Sequence, residues 1–230
     1  KQRPTQRKKV PIPQHLHDLL MHCCLSEETS KAYNLAIIQP FDNHLDTELL
    51  TKAWNLLCLA QDALRFKIDF NGGQPELYLI PYQYLSSIPV IEVNEEEIWA
   101  DVNNRLANLM PLDQMSIPVL YHRTDGSYIF VLFIHHLISD GWTAGIVKKQ
   151  LKDIYSTLSN DGLVTLPDLS KNYIDYARDK TLHQEQDQQQ NSSYWKEYLT
   201  DIADLQLPYL QTVSPKHATS SYEASYVSEE

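Results

Sequence analysis

Residues 128–142 read YIFVLFIHHLISDGW, and this stretch decides the predicted fold. Its first seven residues are apolar and mostly β-branched or aromatic, which predicts a buried strand. Residues 142–155 show helical spacing of apolar side chains and predict a helix directly afterwards. The strand therefore delivers His135 and His136 into a short loop that closes with an Asp-Gly turn. Catalytic groups commonly lie on such loops, because a rigid scaffold holds them in place.

His136 is the candidate catalytic residue, because an imidazole titrates near neutral pH and can take a proton from a nucleophile. Asp140 lies too close in sequence to move freely, so we expect it to brace the loop. A buried carboxylate needs a cationic partner, and Arg65, within an otherwise apolar stretch, is the predicted one. Gly141 has no side chain, which lets a substrate backbone or a cofactor arm approach the histidine closely.

Two other interpretations of the histidine pair stay open from these residues alone. A histidine at the end of a strand is often only a structural residue. Paired histidines near an aspartate can also bind a metal ion. Neighbouring residues on a strand point to opposite faces, however, which makes His135 and His136 poor joint ligands. A third ligand at a recognisable spacing is also absent from the sequence, so no metal site is predicted.

The composition limits the possible functions. A length of 230 residues with 43% apolar side chains fits one α/β domain with a substantial core. A formal net charge of −11 argues against a nucleic-acid-binding protein, which should present a basic face. The chain has no apolar run of membrane-spanning length and no signal-peptide pattern. Cys23, Cys24 and Cys58 lack paired spacing, which favours a reducing cytoplasm, and the vicinal pair reads as a buried helical segment.

Apolar spacing and turn residues predict the remaining elements. Helices are expected over residues 13–25, 45–60 and 173–199, with another that begins at Asn94 and ends before Pro111. Strands are expected over residues 31–40, 64–70, 76–80, 117–124 and 127–134, with hairpin turns at 71–73 and 125–126. Together these elements predict an α/β fold of the α+β sandwich kind.

Several segments resemble motifs of the condensation domains of nonribosomal peptide synthetases. Residues 135–141 look like the HHxxxDG motif of that family, and Trp142-Thr143 resembles the W-S/T that usually follows it. The other similar segments are residues 33–36 (YN), 45–57 (LDxxxLxxAlxxL), 62–68 (HEaLRTxF, with Arg65 at its arginine), 173–177 (YxDYA), 194–199 (YWxxxL) and 205–208 (LxLP). Each segment is a weak signal, but the ordered set, which runs from about Gln14 to the C-terminus, is specific.

The resemblance implies a chloramphenicol-acetyltransferase-like lobe with a mixed, largely antiparallel sheet covered by helices. A complete condensation domain has two such lobes in a V, with its active site in a tunnel between them. The expected organisation is a linker or tag remnant over residues 1–10 and the N-terminal lobe over 11–170. Residues 171–230 would then hold a connecting helix, a linker over 213–220 and, at 222–227, the first strand of a truncated second lobe.

The same resemblance implies an activity and a role for each residue. The domain would form an amide from a donor aminoacyl or peptidyl thioester and the α-amine of an acceptor thioester. His136 would take the amine's proton or hold the amine in line, and His135 would be structural. Asp140 and Arg65 would shape the loop, while Gly141 would give clearance and a backbone donor for the oxyanion. The isolated fragment is expected to be inactive.

The implied partners are upstream and downstream carrier domains, an adjacent adenylation domain and the missing C-terminal lobe of the same domain. The reactive thioesters would be carried on phosphopantetheine arms of the carrier domains, so no cofactor is expected to bind this chain directly. Nucleic acid and membrane are not expected partners. The predicted location is the cytoplasm.

The sequence also departs from the family pattern. Residues 13–19 fit the family's first motif only loosely, Phe66 replaces the usual threonine, and Gln61-Asp62 replaces His-Glu. Epimerization domains share HHxxxDG but usually lack the DGW-S/T continuation, so Trp142-Thr143 favours condensation. Heterocyclization domains replace the histidine pair with aspartates. Two further functions stay open for this chain, that of a coenzyme-A-dependent HxxxD acyltransferase and that of a non-catalytic carrier-docking module.

Overall fold

The computed structural model describes residues 7–71, 73–164 and 173–202. The helices are α1 (Gln14–Cys23), α2 (Glu27–Lys31), α3 (Thr47–Ala60), α4 (Glu95–Ala107), α5 (Gly141–Ser159) and α6 (Tyr173–Tyr198), with a 3-10 helix at Asp62–Arg65. The strands are β1 (Lys8–Val10), β2 (Asn34–Phe41), β3 (Phe66–Asn71), β4 (Gln74–Leu79), β5 (Val90–Glu92), β6 (Ser116–His122) and β7 (Tyr128–His135). Within the described residues, no helix is both long and apolar enough to span a lipid bilayer.

The strands form two sheets. One has the order β2-β7-β6-β5 and the other the order β1-β4-β3. All pairs are antiparallel except β5 with β6, which is parallel. This arrangement confirms the predicted fold class, a mixed and largely antiparallel sheet covered by helices.

Strand β7 is buried along nearly its whole length because helices cover both faces of its sheet. Alternate residues of β7 point to opposite faces, so Phe130, Leu132 and Ile134 pack into the main core with α3 and α5. Val131 and Phe133 face the other way, into a smaller core closed by α4. The apolar run predicted as a buried strand is therefore an inner strand with a core on each side.

Local sequence explains where the elements begin and turn. Asn94 caps α4 with a reciprocal hydrogen-bond pair to Glu97, which is the physical reason for the predicted helix start. Gly126 adopts a φ of +84° in the β6–β7 hairpin, a conformation that glycine reaches without steric cost. The predicted hairpins at 71–73 and 125–126 thus join β3 to β4 and β6 to β7.

Several predicted elements differ in detail. The strand expected from residue 31 begins at Asn34, because Glu27–Lys31 forms the short helix α2. The strand expected from residue 64 begins at Phe66, because Asp62–Arg65 first forms a turn of 3-10 helix. The linker expected over residues 1–10 gives way to strand β1 at Lys8–Val10, which pairs with β4. The interdomain linker at 213–220 and the strand at 222–227 lie outside the described residues.

Pro40 in β2 and Pro118 in β6 occupy strand positions whose backbone nitrogen faces away from the central strand β7. The His135 N–H donates to the Met115 carbonyl and the His136 N–H donates to the Tyr33 carbonyl. These bonds determine which residues of β2 and β6 direct their backbone N–H and C=O groups towards β7. By the alternation of an antiparallel ladder, the nitrogens of Pro40 in β2 and Pro118 in β6 face away from β7. β2 is an edge strand among the described residues, and β5 pairs with β6 only at residues 120–122.

Candidate functional site

The two histidines lie where β7 ends, on opposite sides of the chain. His135 is the last residue of β7 and faces Asn34 across the ladder, with 0% of its surface exposed. His136 follows it and is exposed. The alternation of side chains along a strand therefore separates one protected imidazole from one accessible to solvent.

Burial favours the neutral form of the His135 ring. Burial is the main cause that lowers its pKa from 6.5 to about 4, with the nearby Ser30 backbone acting in the opposite direction and His136 adding to the decrease. Its Nδ1 accepts a hydrogen bond from the Leu137 N–H at 3.2 Å, while its Nε2 has no partner of good geometry among the described residues. An acceptor Nδ1 places the proton of the neutral ring on Nε2.

The loop after the histidines is held by its own buried residues. Leu137 and Ile138 are in the main core, and the Ser139 hydroxyl donates to the His135 carbonyl at 3.0 Å. His136 is fixed through its backbone, because its N–H donates to the Tyr33 carbonyl at 2.8 Å. The backbone beside the exposed imidazole is thus rigid, as expected for a group presented at a strand end.

Asp140 is exposed and caps helix α5. Its carboxylate accepts hydrogen bonds from the Thr143 hydroxyl at 2.8 Å and the Thr143 N–H at 2.9 Å. These two bonds are the main cause that holds the pKa of Asp140 below its usual range, and the charge of His136 contributes last. Asp140 is therefore the N-cap of α5.

The predicted contact between Arg65 and Asp140 is wrong. Arg65 forms a buried ion pair with Asp62, three residues earlier on the 3-10 helix, and donates to the Ile80 carbonyl at 3.2 Å. Both side chains of this pair are more than 90% buried. Each therefore supplies the opposite charge that compensates the other for its loss of contact with water. Asp140 needs no cation, because it is exposed and its hydrogen bonds come from Thr143.

Gly141 and Trp142 begin α5 beside the loop. A β-carbon at position 141 would meet no atom within 4 Å, so the described part of the chain leaves open space there. Trp142 is 83% exposed, an unusual position for so large an apolar side chain. The motif thus presents His136, Gly141 and Trp142 on an open surface.

The alternative of a metal site receives no support from the geometry, and burial makes the cysteine thiols poor candidates for thiolates. Within residues 7–71, 73–164 and 173–202, no cluster of three or more His, Cys, Asp or Glu side chains could hold a metal ion. All three cysteines are free. Burial raises the pKa of the Cys58 thiol to about 12, far from a reactive thiolate. The prediction of a buried helical segment at the vicinal cysteines is confirmed for Cys23, which is buried in α1. It is wrong for Cys24, which is the exposed C-cap of that helix.

Two residues near the histidines were noted in the sequence only as part of the YN segment. The Tyr33 ring lies 6.3 Å from each histidine ring, measured between centroids. The Asn34 side chain points the other way and donates to the Leu106 and Asn108 carbonyls at 2.9 and 2.7 Å, which ties β2 to the end of α4. Only the position of Tyr33 and Asn34 near the start of a predicted strand pointed to these two residues in the sequence. The sequence does not reveal that β2 pairs with β7.

Comparison with known sequences matches the chain to the family described as "Condensation domain" over residues 19–228. The chain is 24% identical over 227 residues to chondramide synthase of Chondromyces crocatus, covering 94% of this chain and 6% of that protein. It is 25% identical over 232 residues to the dimodular nonribosomal peptide synthase of Bacillus subtilis, covering 94% of this chain and 10% of that protein.

Solved structures share the fold. The starter condensation domain of rhizomide synthetase superposes with a TM-score of 0.74 at 14% identity, covering 86% of this chain and 49% of that one. The epimerization domain from the third module of tyrocidine synthetase B gives a TM-score of 0.75 at 16% identity, covering 90% and 48%. This chain therefore spans about half the length of each. Since the sequence match extends over residues 19–228, the chain belongs to the condensation domain family.

Proposed function

We propose that this chain supplies one wall of an amide-forming site in which His136 acts on the attacking amine. The observation that supports this role is the accessibility of His136 on a rigid backbone, next to a histidine that is buried and neutral. Membership of the condensation domain family supplies the reaction class. The substrates would be a donor acyl thioester and an acceptor aminoacyl thioester.

The chemistry requires the acceptor ammonium to lose two protons. An α-ammonium has a pKa of about 8, so it releases the first proton to water before attack, and an imidazole can accept the second as the neutral amine attacks. The amine nitrogen attacks the thioester carbonyl, the C–N bond forms, and the C–S bond breaks with release of a thiolate. That thiolate can take up the proton, which leaves His136 neutral again. Because a thioester is already activated, holding the amine in line can contribute as much as proton transfer.

Other groups near His136 would support this step. Gly141 is the first residue of α5, and its neighbourhood is open, so an N–H at the helix start can face a developing oxyanion. Asp140 would keep the loop and α5 in register through its cap. Arg65 would act at a distance, through the shape of the segment it shares with Asp62. Trp142 would contribute apolar surface beside the reacting groups.

The partners follow from the same proposal. Carrier domains on either side would present the two thioesters on phosphopantetheine arms, and an adenylation domain would load them. A second lobe would cover the surface on which His136 lies, which agrees with the span of about half the length of the structural relatives. The free cysteines agree with a reducing compartment such as the cytoplasm.

Epimerization is the second candidate, because epimerization domains share the HHxxxDG motif that residues 135–141 resemble. An epimerase would use His136 to move the α-proton of a carrier-bound aminoacyl group, with no new amide. Trp142-Thr143 argues for condensation, because epimerization domains usually lack this continuation. A coenzyme-A-dependent acyltransferase would differ in its donor, and a docking module would show no turnover.

The deciding experiment uses the natural polypeptide that contains this sequence. Carrier-bound acyl donors and coenzyme-A-bound donors are offered separately, and amide product and α-carbon inversion are measured by mass spectrometry and chiral chromatography. We expect amide formation from carrier-bound donors only. Product from coenzyme A thioesters would support the acyltransferase, and inversion without an amide would support the epimerase.

A histidine substitution tests the assigned residue. His136→Ala should lower amide formation about 100-fold or more, within the range for loss of a general base. His122→Ala is the matched control, because His122 lies on the same hairpin at its far end, paired with Glu92 at 2.6 Å. Unchanged turnover in His136→Ala would remove both the proton-transfer and the positioning role. The 230-residue chain alone should show no amide formation.

A further inference from the structure

The imidazole of His136 lacks the support that a catalytic histidine usually has. Among the described residues, no side chain forms a hydrogen bond to either nitrogen of this ring. Asp140, four residues later, directs its carboxylate to Thr143. A group that must meet a substrate in a fixed orientation needs something to limit its rotation, since small misplacements cost large factors in rate.

Tyr33 lies beside His136, with its ring as near to this imidazole as to that of His135. The β2–β7 ladder pairs Asn34 with His135, so the next position outward brings Tyr33 opposite His136. The His136 N–H donates to the Tyr33 carbonyl at 2.8 Å. Residues directly opposite each other on neighbouring strands share one face, and the two rings accordingly meet edge to face, with centroids 6.3 Å apart and planes at 83°.

Tyr33 is itself held from the other side. Its backbone N–H donates to the Ser30 carbonyl at 3.0 Å, and its ring is half-buried against the main core. Its hydroxyl lies 3.3 Å from Nδ1 of His22, in the last turn of α1. The phenol ring therefore has a fixed position between the core, α1 and the exposed imidazole.

We infer that Tyr33 is a positioning residue for His136, with its ring restricting the rotation of the imidazole and its hydroxyl anchored by His22. This inference rests on the proposed function of His136. Tyr33 touches no reacting atom in this role. It reduces the number of orientations of a side chain that would otherwise turn freely in solvent, and aromatic edge contacts of this kind contribute energy beyond simple burial.

The test measures kcat and KM for amide formation in the natural polypeptide that contains this sequence. Tyr33→Leu should lower kcat about tenfold, with KM for the carrier-bound acceptor changed less than about twofold, because orientation is lost and binding is not. Tyr33→Phe keeps the ring and should restore kcat to within about threefold of the unaltered protein. Tyr128→Ala is the matched control, since it removes a tyrosine stacked on His122, with centroids 4.4 Å apart, at the far end of the same hairpin. It should leave kcat unchanged.

A second measurement needs no substitution. In the unaltered 230-residue chain, NMR should show a nuclear Overhauser effect between the Tyr33 and His136 ring protons and a single His136 χ1 rotamer. Absence of that effect overturns the inference. This measurement decides the question even if Tyr33→Leu fails to fold, because it uses the unaltered chain. If His136→Ala abolishes turnover and Tyr33→Leu leaves kcat within about twofold, only the positioning role is wrong. If His136→Ala leaves turnover unchanged, the proposed function itself is wrong.

Discussion

The two sides of the carboxyl end of β7 have opposite properties, although two consecutive residues supply them. On one side His135 is fully buried, and burial pushes its pKa down to about 4. On the other side His136 is exposed, its N–H donates to the Tyr33 carbonyl, and its ring lies edge to face with that of Tyr33. One imidazole is therefore enclosed by the fold and the other is accessible to solvent. The comparison shows that strand alternation alone gives two residues of one type different surroundings.

The largest expected effect is a difference in unfolding free energy between the alanine variants of the two histidines. His135→Ala removes a fully buried ring and leaves a cavity with an unsatisfied Leu137 N–H, so it should cost about 3 kcal/mol of unfolding free energy. His136→Ala removes an exposed ring and should cost less than about 0.5 kcal/mol. Urea unfolding of both variants, followed by circular dichroism, measures the difference. Equal losses in the two variants would contradict the division of roles.

Acidification should lower the stability of the fold through the buried His135. The pKa of His135 is about 4 when folded and about 6.5 when unfolded, so the unfolded chain binds more protons between these values. The stability supplied by the neutral ring is complete above pH 6.5 and is lost as the pH falls towards 4. Between pH 7.5 and 5 this one group should remove about 2 kcal/mol.

Urea titrations at the two pH values give this loss directly. A His135→Leu variant serves as the control, because it has no proton to gain at that position. Its loss over the same interval should be smaller than that of the unaltered chain by about the same 2 kcal/mol. An identical pH dependence in both proteins would mean that His135 is not the group that titrates.

The smallest effect concerns the loop that joins the two sides. Asp140→Ala removes the cap of α5 and should cost about 1 kcal/mol, whereas Asp140→Asn keeps a capping side chain and should cost less than about 0.5 kcal/mol. If Asp140 neutralised a buried arginine, either change would cost about 3 kcal/mol or more. Thermal melts of the two variants decide between a cap and an ion pair.

Much of the fold could be predicted because local rules act alone in the relevant segments. The run before His135 predicted β7 within one residue, since a strand with cores on both faces must be apolar throughout. Asn94 followed by three glutamates predicted the start of α4, because a capping residue and negative charge at a helix start are local features; the structure adds the reciprocal bonds between Asn94 and Glu97. The opposite exposure of the two histidines followed from the same alternation.

The failures concern pairings between distant segments. The sequence alone pairs Arg65 with Asp140, because an arginine in an apolar stretch needs an acidic partner, whereas the structure pairs it with Asp62, three residues away. An arginine on a short 3-10 helix reaches such a neighbour with less ordering of the chain than a distant partner requires. The contact of Tyr33 with His136 was likewise invisible, since it depends on the register of β2 against β7.

The prolines of the four-stranded sheet have a consequence for self-association. An exposed strand edge offers a row of N–H donors that a second molecule can extend, which is a common route to aggregation. Pro40 interrupts that row on β2, and Pro118 interrupts it on β6 beyond the short β5. Among the described residues, a strand added at either of these positions would meet a missing donor, which should weaken edge-to-edge pairing of the four-stranded sheet there.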